Sequence, residues 1–117
     1  MFLELSHTKL DIFQVSKEFT LACYKHTISF PSEEKYAMIS QIRRAALSVH
    51  LNIAEGCSRK SIAERKRFYE IARGSIIEID AAFDIAASLK YTSKEKLIEL
   101  GELMKRCFQM LSKMIGK

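Results

Sequence analysis

The chain has 117 residues, 48% of them hydrophobic and 28% charged, which fits one globular domain over residues 1–117. Four Gly and one Pro are too few for the frequent turns of an all-β protein, and no apolar run has the length of a membrane span. The net charge of +5 is confined to one window: residues 43–73 hold eight cations and three acids, whereas the remainder carries eleven of each sign. A basic window of this kind points to a polyanion or an acidic protein surface as partner.

The first residues, Met1-Phe2-Leu3-Glu4, lack the basic flank of a signal peptide, so a cytoplasmic protein is expected. Cys23, Cys57 and Cys107 are widely spaced and suit buried thiols in a reducing compartment. A first helix is predicted near residues 9–29, from Ile12, Val15, Phe19, Ala22 and Cys23 at steps of three and four. Pro31-Ser32-Glu33-Glu34 reads as the start of a second helix over 33–56, capped by Ser32 and ended by Gly56. Its core stripe is Ile39, Ile42, Ala46, Val49 and Ile53. Ser61-Ile62-Ala63-Glu64 is a capping box that opens a third helix over 62–91, with Phe68, Ala72, Ser75, Ile79, Ala82 and Ala86 facing inward. Gly74 in its middle suggests the close approach of another helix. Thr92-Ser93-Lys94-Glu95 is a second box, capped by Thr92, for a fourth helix over 94–115. Short connectors make successive helices antiparallel, and an all-α, up-down-up-down four-helix bundle results.

At 100° per residue, several apolar side chains fall off these stripes. Leu47 and Leu51 lie outward beside Arg44, Ile77 beside Arg73, Asp80 and Asp84, and Leu103 and Met110 off the seam of helix 4. Apolar residues mixed with charges on three helices are expected to form an oligomer interface made of Arg44, Leu47, Leu51, Arg73, Ile77, Leu103 and Met110.

Catalytic patterns are absent. There is no phosphate-binding Gly-rich loop, and His7, His26 and His50 are isolated from one another. His50 and Cys57 stand two helical turns apart, about 10 Å, too far for a base and its nucleophile. Glu4 and His7 have the spacing of half a diiron site, but the other helical carboxylates are missing. No cofactor, no metal and no enzymatic activity are expected. Asn52 and Glu55, just before Gly56, are assigned to bonding the connector at the bundle corner, and Glu78 to pairing with Arg43 or Arg44.

Phe30-Pro31-Ser32-Glu33-Glu34-Lys35-Tyr36, Gln41-Ile42-Arg43-Arg44-Ala45-Ala46 and Asn52-Ile53-Ala54-Glu55-Gly56 stand in fixed register, followed by Phe68, Ala72, Gly74-Ser75 and Glu78. In these pieces the chain resembles the four-helix-bundle proteins encoded in intervening sequences of bacterial 23S ribosomal RNA genes. The resemblance covers roughly residues 10–91. It departs at Phe13, where Trp is usual, at His50-Leu51 in place of Pro-Ser, at Cys57-Ser58, and at Arg73 in place of an apolar residue. The missing Pro should leave helix 2 straighter. The resemblance implies a homopentameric ring and kinship with accessory proteins of diversity-generating retroelements, which are thought to act through nucleic acid and a reverse transcriptase; it implies no activity.

The expected function is that of a non-enzymatic homo-oligomer, a pentamer, that binds RNA or DNA through Arg59, Lys60, Arg65, Lys66 and Arg67 at the corner between helices 2 and 3. The alternative is a scaffold that docks an acidic partner protein at the same corner without touching nucleic acid itself. No membrane is expected as a partner.

Overall fold

The predicted stripes do form helices. The computed structural model describes residues 1–116, with Ser6 and His7 described by their backbone alone. It contains α1 (Asp11–Thr27), α2 (Met38–Ser58), α3 (Ile62–Ser88) and α4 (Ile98–Gly116). Short 3-10 turns at Ser6–Lys9 and Ser32–Glu34 precede α1 and α2, and no strand occurs among the described residues. Among the described residues no helix is long and apolar enough to cross a membrane.

Each helix packs on the next, and α4 closes back on α1, while among the described residues the diagonal helices keep their Cα atoms more than 8 Å apart. Both long connectors meet at one end, where the Phe30 ring lies 6.1 Å from Phe83 and 5.6 Å from Tyr91. There the Tyr91 hydroxyl also donates to Glu34 Oε2 at 2.8 Å. The short connector from α2 to α3 lies at the other end, so the four helices run up, down, up and down. One continuous core fills the square, centred on Phe19, Ile42, Val49, Ile53, Ile79 and Leu111.

Several helix ends differ from expectation. Ser32 does not cap a helix at residue 33; it begins a 3-10 turn, and the α-helix starts only at Met38. Ala37, at φ −122° and ψ −99°, breaks the backbone between them. The Tyr91–Glu34 bond explains the outcome, because it ties the acidic turn to the far connector. Ser61 caps α3 as expected, its Oγ accepting the Glu64 N–H at 3.0 Å. The fourth helix, expected from residue 94, starts only at Ile98; in the turn before it Ser93 Oγ, not Thr92, accepts the Lys96 N–H at 3.3 Å.

Two of the helical glycines, Gly56 and Gly74, differ from expectation. Gly56 does not end α2; it is a buried interior residue, and a Cβ there would meet Tyr69 Cε1 at 2.7 Å. Gly74, expected at a close helix approach, has open space where a Cβ would point. The α2–α3 contact is instead brought close by hydroxyls: Ser75 Oγ donates to Ser48 Oγ at 3.0 Å. Between α1 and α2, Thr20 Oγ1 donates to the Ala46 carbonyl at 3.1 Å and Arg43 Nε donates to Thr27 Oγ1 at 2.9 Å. These buried and half-buried bonds fix the register of α2 against both neighbours.

Candidate nucleic-acid interface

The basic corner is built on residues 59–61, between the end of α2 and the start of α3. Arg59 is held in place three ways. Its Nη2 pairs with Glu55 Oε1 at 3.3 Å, its guanidinium carbon lies 5.0 Å from the Phe68 ring centroid, and its carbonyl accepts Arg65 Nε at 2.6 Å. Arg67 approaches the same ring, with its guanidinium carbon 5.9 Å from the centroid. Phe68, expected in the core, is half-buried and carries two cations, since an aromatic face attracts them electrostatically. Tyr69 takes the core position instead.

Arg59–Glu55 is the one ion pair among the described residues. Lys60, Arg65 and Arg67 are exposed and Lys66 is half-buried, so four cations of the corner carry charge unmatched by a carboxylate contact. The sequence places all five together and the structure keeps them at one end of the bundle. Arg65, Lys66 and Arg67 lie near the positive end of α3, where cations oppose the helix dipole. Multiple guanidinium and ammonium donors beside a rigid aromatic suit the oxygens of a phosphate backbone.

The structural corner divides differently from expectation. Glu55 holds Arg59, and its carbonyl accepts Ser58 Oγ at 2.7 Å, so it does bond the connector. Asn52 does not: its Nδ2 turns back one turn to the Ser48 carbonyl at 2.8 Å and Ser48 Oγ at 3.0 Å. Gly56 admits the Tyr69 ring, whose hydroxyl lies 3.4 Å from Cys57 Sγ. Burial and that contact push the Tyr69 hydroxyl well above its ordinary pKa. Glu78 accepts from Gln41 Nε2 at 3.3 Å rather than from either arginine. Arg43 instead lies over the Tyr24 ring at 4.9 Å and donates to the Tyr24 carbonyl at 3.2 Å.

The residues assigned to an oligomer interface fall into three places. Arg44, Leu47 and Leu51 form an exposed stripe on the outer side of α2, with Leu51 at 59% exposure. Arg73 and Ile77 lie along the α3–α4 seam, not beside that stripe. Arg73 Nη1 donates to Ser112 Oγ at 3.2 Å, and its guanidinium carbon lies 5.9 Å from the Phe108 ring centroid. Leu103 and Met110 are half-buried and pack on the core, and Leu103 lines a groove together with Leu21 and Ala22 of α1. Among the described residues no three metal-ligating side chains gather; the His7 side chain lies outside them.

A family model described as 23S rRNA-intervening sequence protein matches residues 8–113. The chain belongs to this family. A crystal structure of a protein of unknown function from the S23 ribosomal protein family of Bacteroides thetaiotaomicron has the same fold. It matches with a TM-score of 0.80 at 20% identity, over 91% of this chain and 99% of that one. A search of curated proteins finds no match.

Two positions at which the resemblance departs, Phe13 and His50, meet in the structure, their ring centroids 4.3 Å apart. His50 Nδ1 is also 2.7 Å from Ser16 Oγ, and Ser16 is fully buried. The histidine thus joins α2 to α1 and belongs to the packing of the bundle.

Proposed function

We propose that this family member is a non-enzymatic, cytoplasmic homo-oligomer, a pentameric ring, that holds RNA or DNA by its phosphates at the α2–α3 corner. One observation carries the reading: Arg59, Lys60, Arg65, Lys66 and Arg67 share one corner, where a single carboxylate contact offsets them. Repetition of that patch around a ring turns a weak contact into a strong one through effective concentration. No helix of a recognised DNA-reading motif presents side chains to a groove, so backbone contact supplies the affinity.

The test is binding of RNA and of DNA across a salt series, for the wild type and for a variant with all five cations changed to Gln. Phosphate contact predicts a log–log slope of about −0.7 to −0.9 per neutralised phosphate, flattening in the variant. Absence of binding at low salt overturns the reading and leaves the corner to an acidic partner protein.

A further inference from the structure

Residues 1–5 are Met-Phe-Leu-Glu-Leu, and all five side chains stand in solvent, Phe2 at 87% exposure and Leu3 at 67%. None of them joins the core or the partly buried shell around it. Four large apolar groups among five residues, without cover, are a liability for a protein on its own. The arm also precedes the residues matched by the family model, which begin at residue 8.

On the opposite side of the bundle, α3 and α4 leave an open groove of about 420 Å³. Its walls include Ile77, Met104 and Phe108, and its rim carries Asp80 and Lys105. Ile77 is 57% exposed and Phe108 38%. Gly101 also lines the groove, and a Cβ there would meet nothing within 4 Å. Packing within the chain therefore does not require a glycine, which costs a helix about 1 kcal/mol relative to Ala. Its effect is to leave the groove wide.

We propose that residues 1–5 of one copy dock in the α3–α4 groove of a second copy. This rests on the homo-oligomer reading above. The arm does not reach its own groove. It follows from the turn at Ser6–Lys9, which packs on α1 and α2, the face opposite α3 and α4. Five extended residues span at most about 18 Å, and the bundle is 30 by 22 Å across. The chemistry matches: Phe2, Leu3 and Leu5 would cover the apolar walls formed by Ile77, Met104 and Phe108, and Glu4 finds Lys105 on the rim. Contact between two different faces is heterologous, the kind that closes into rings.

A photo-reactive phenylalanine analogue at position 2, in a mixture of isotopically light and heavy chains, tests the contact. Expected are light-to-heavy adducts on α4 between Met104 and Phe108. Gly101→Leu, which fills the groove, should abolish them while helicity and melting temperature hold. As an independent check, deletion of residues 1–5 should weaken assembly by about tenfold, or 1.4 kcal/mol. Adducts only within one chain, adducts that survive Gly101→Leu, or an unchanged assembly constant after the deletion overturn the proposal. A wild type that stays monomeric at all concentrations defeats the oligomer reading as well. An oligomer lacking the inter-chain adduct defeats the arm alone.

Discussion

Gly56 and Tyr69 are in such close contact that one added methyl on Gly56 would sit 2.7 Å from the Tyr69 ring. The ring is a rigid plane, held at its tip by the 3.4 Å contact of its hydroxyl with Cys57, on the same helix as Gly56. It cannot swing away as the tip of a flexible chain does. The last turn of α2 and the second turn of α3 are therefore locked, and the basic corner is built directly upon them.

Gly56→Ala should destabilise the protein by about 1–3 kcal/mol, the usual cost of overpacking a closed site. Gly74→Ala should do the opposite, raising stability by up to about 1 kcal/mol, because its Cβ enters open space in a long helix. Urea melts of the two variants check both signs. Equal effects would contradict the assigned roles.

Arg43→Met keeps the stem of the side chain and removes its bonds to Thr27 and the Tyr24 carbonyl. A loss of about 1.5–3 kcal/mol is expected, the usual worth of hydrogen bonds from a charged donor, although the Thr27 hydroxyl keeps its bonds to the Cys23 and Tyr24 carbonyls at 2.9 and 3.0 Å. Arg44→Met, on the exposed outer stripe, should change the stability of an isolated chain by less than about 0.5 kcal/mol. A difference between the pair separates a structural arginine from a surface one.

Burial pushes the thiols of Cys23 and Cys107 up to about 12 from an ordinary 9.0. Both side chains are fully enclosed. Below pH 9 the folded and unfolded states both keep these protons, so the two thiols add no pH dependence. Between pH 9 and 12 the unfolded chain releases them and the folded one does not, and stability falls as pH rises. The same enclosure predicts that native protein is alkylated at Cys57 alone, with Cys23 and Cys107 reacting only after denaturation. Mass spectrometry of the alkylated protein reads the sites, and alkaline melts read the slope.

Leu47→Asp with Leu51→Asp places two charges on the outer stripe of α2 without touching the core. Light scattering at micromolar concentration should show the assembly dissociate, while circular dichroism keeps the wild-type helicity. An unchanged mass would remove this stripe from the interface.

Four helices were legible because each carries an apolar stripe with the 3.6-residue period, and that period does not depend on tertiary detail. Helix ends were less legible, because a capping pattern states only that N–H groups need acceptors. At Ser32 a 3-10 turn satisfies that need, with the Glu34 and Lys35 N–H groups bonded to the Pro31 and Ser32 carbonyls. The decisive partner, Tyr91, lies on a connector 57 residues away. Gly56 and Gly74 were read by the same rule of local propensity, yet only three-dimensional packing distinguishes a filled site from an empty one. The cluster of cations was visible as charge, whereas its organisation around Phe68 was not. A Phe at a core-like register gives no sign that the neighbouring Tyr takes the core. Leu103 and Met110 were misplaced for a related reason: the stripe alone does not tell which flank of α4 turns toward α1.

The turn between α2 and α3 has only three residues, 59–61, between two locked helical ends. Its charged groups therefore do not hang from a loose loop. Whatever anion meets them finds backbone anchors already fixed, so little backbone conformational freedom is lost on contact. Binding at this corner should show a small entropic penalty and a heat capacity change near zero. Calorimetric signatures of folding upon binding would point to a different surface.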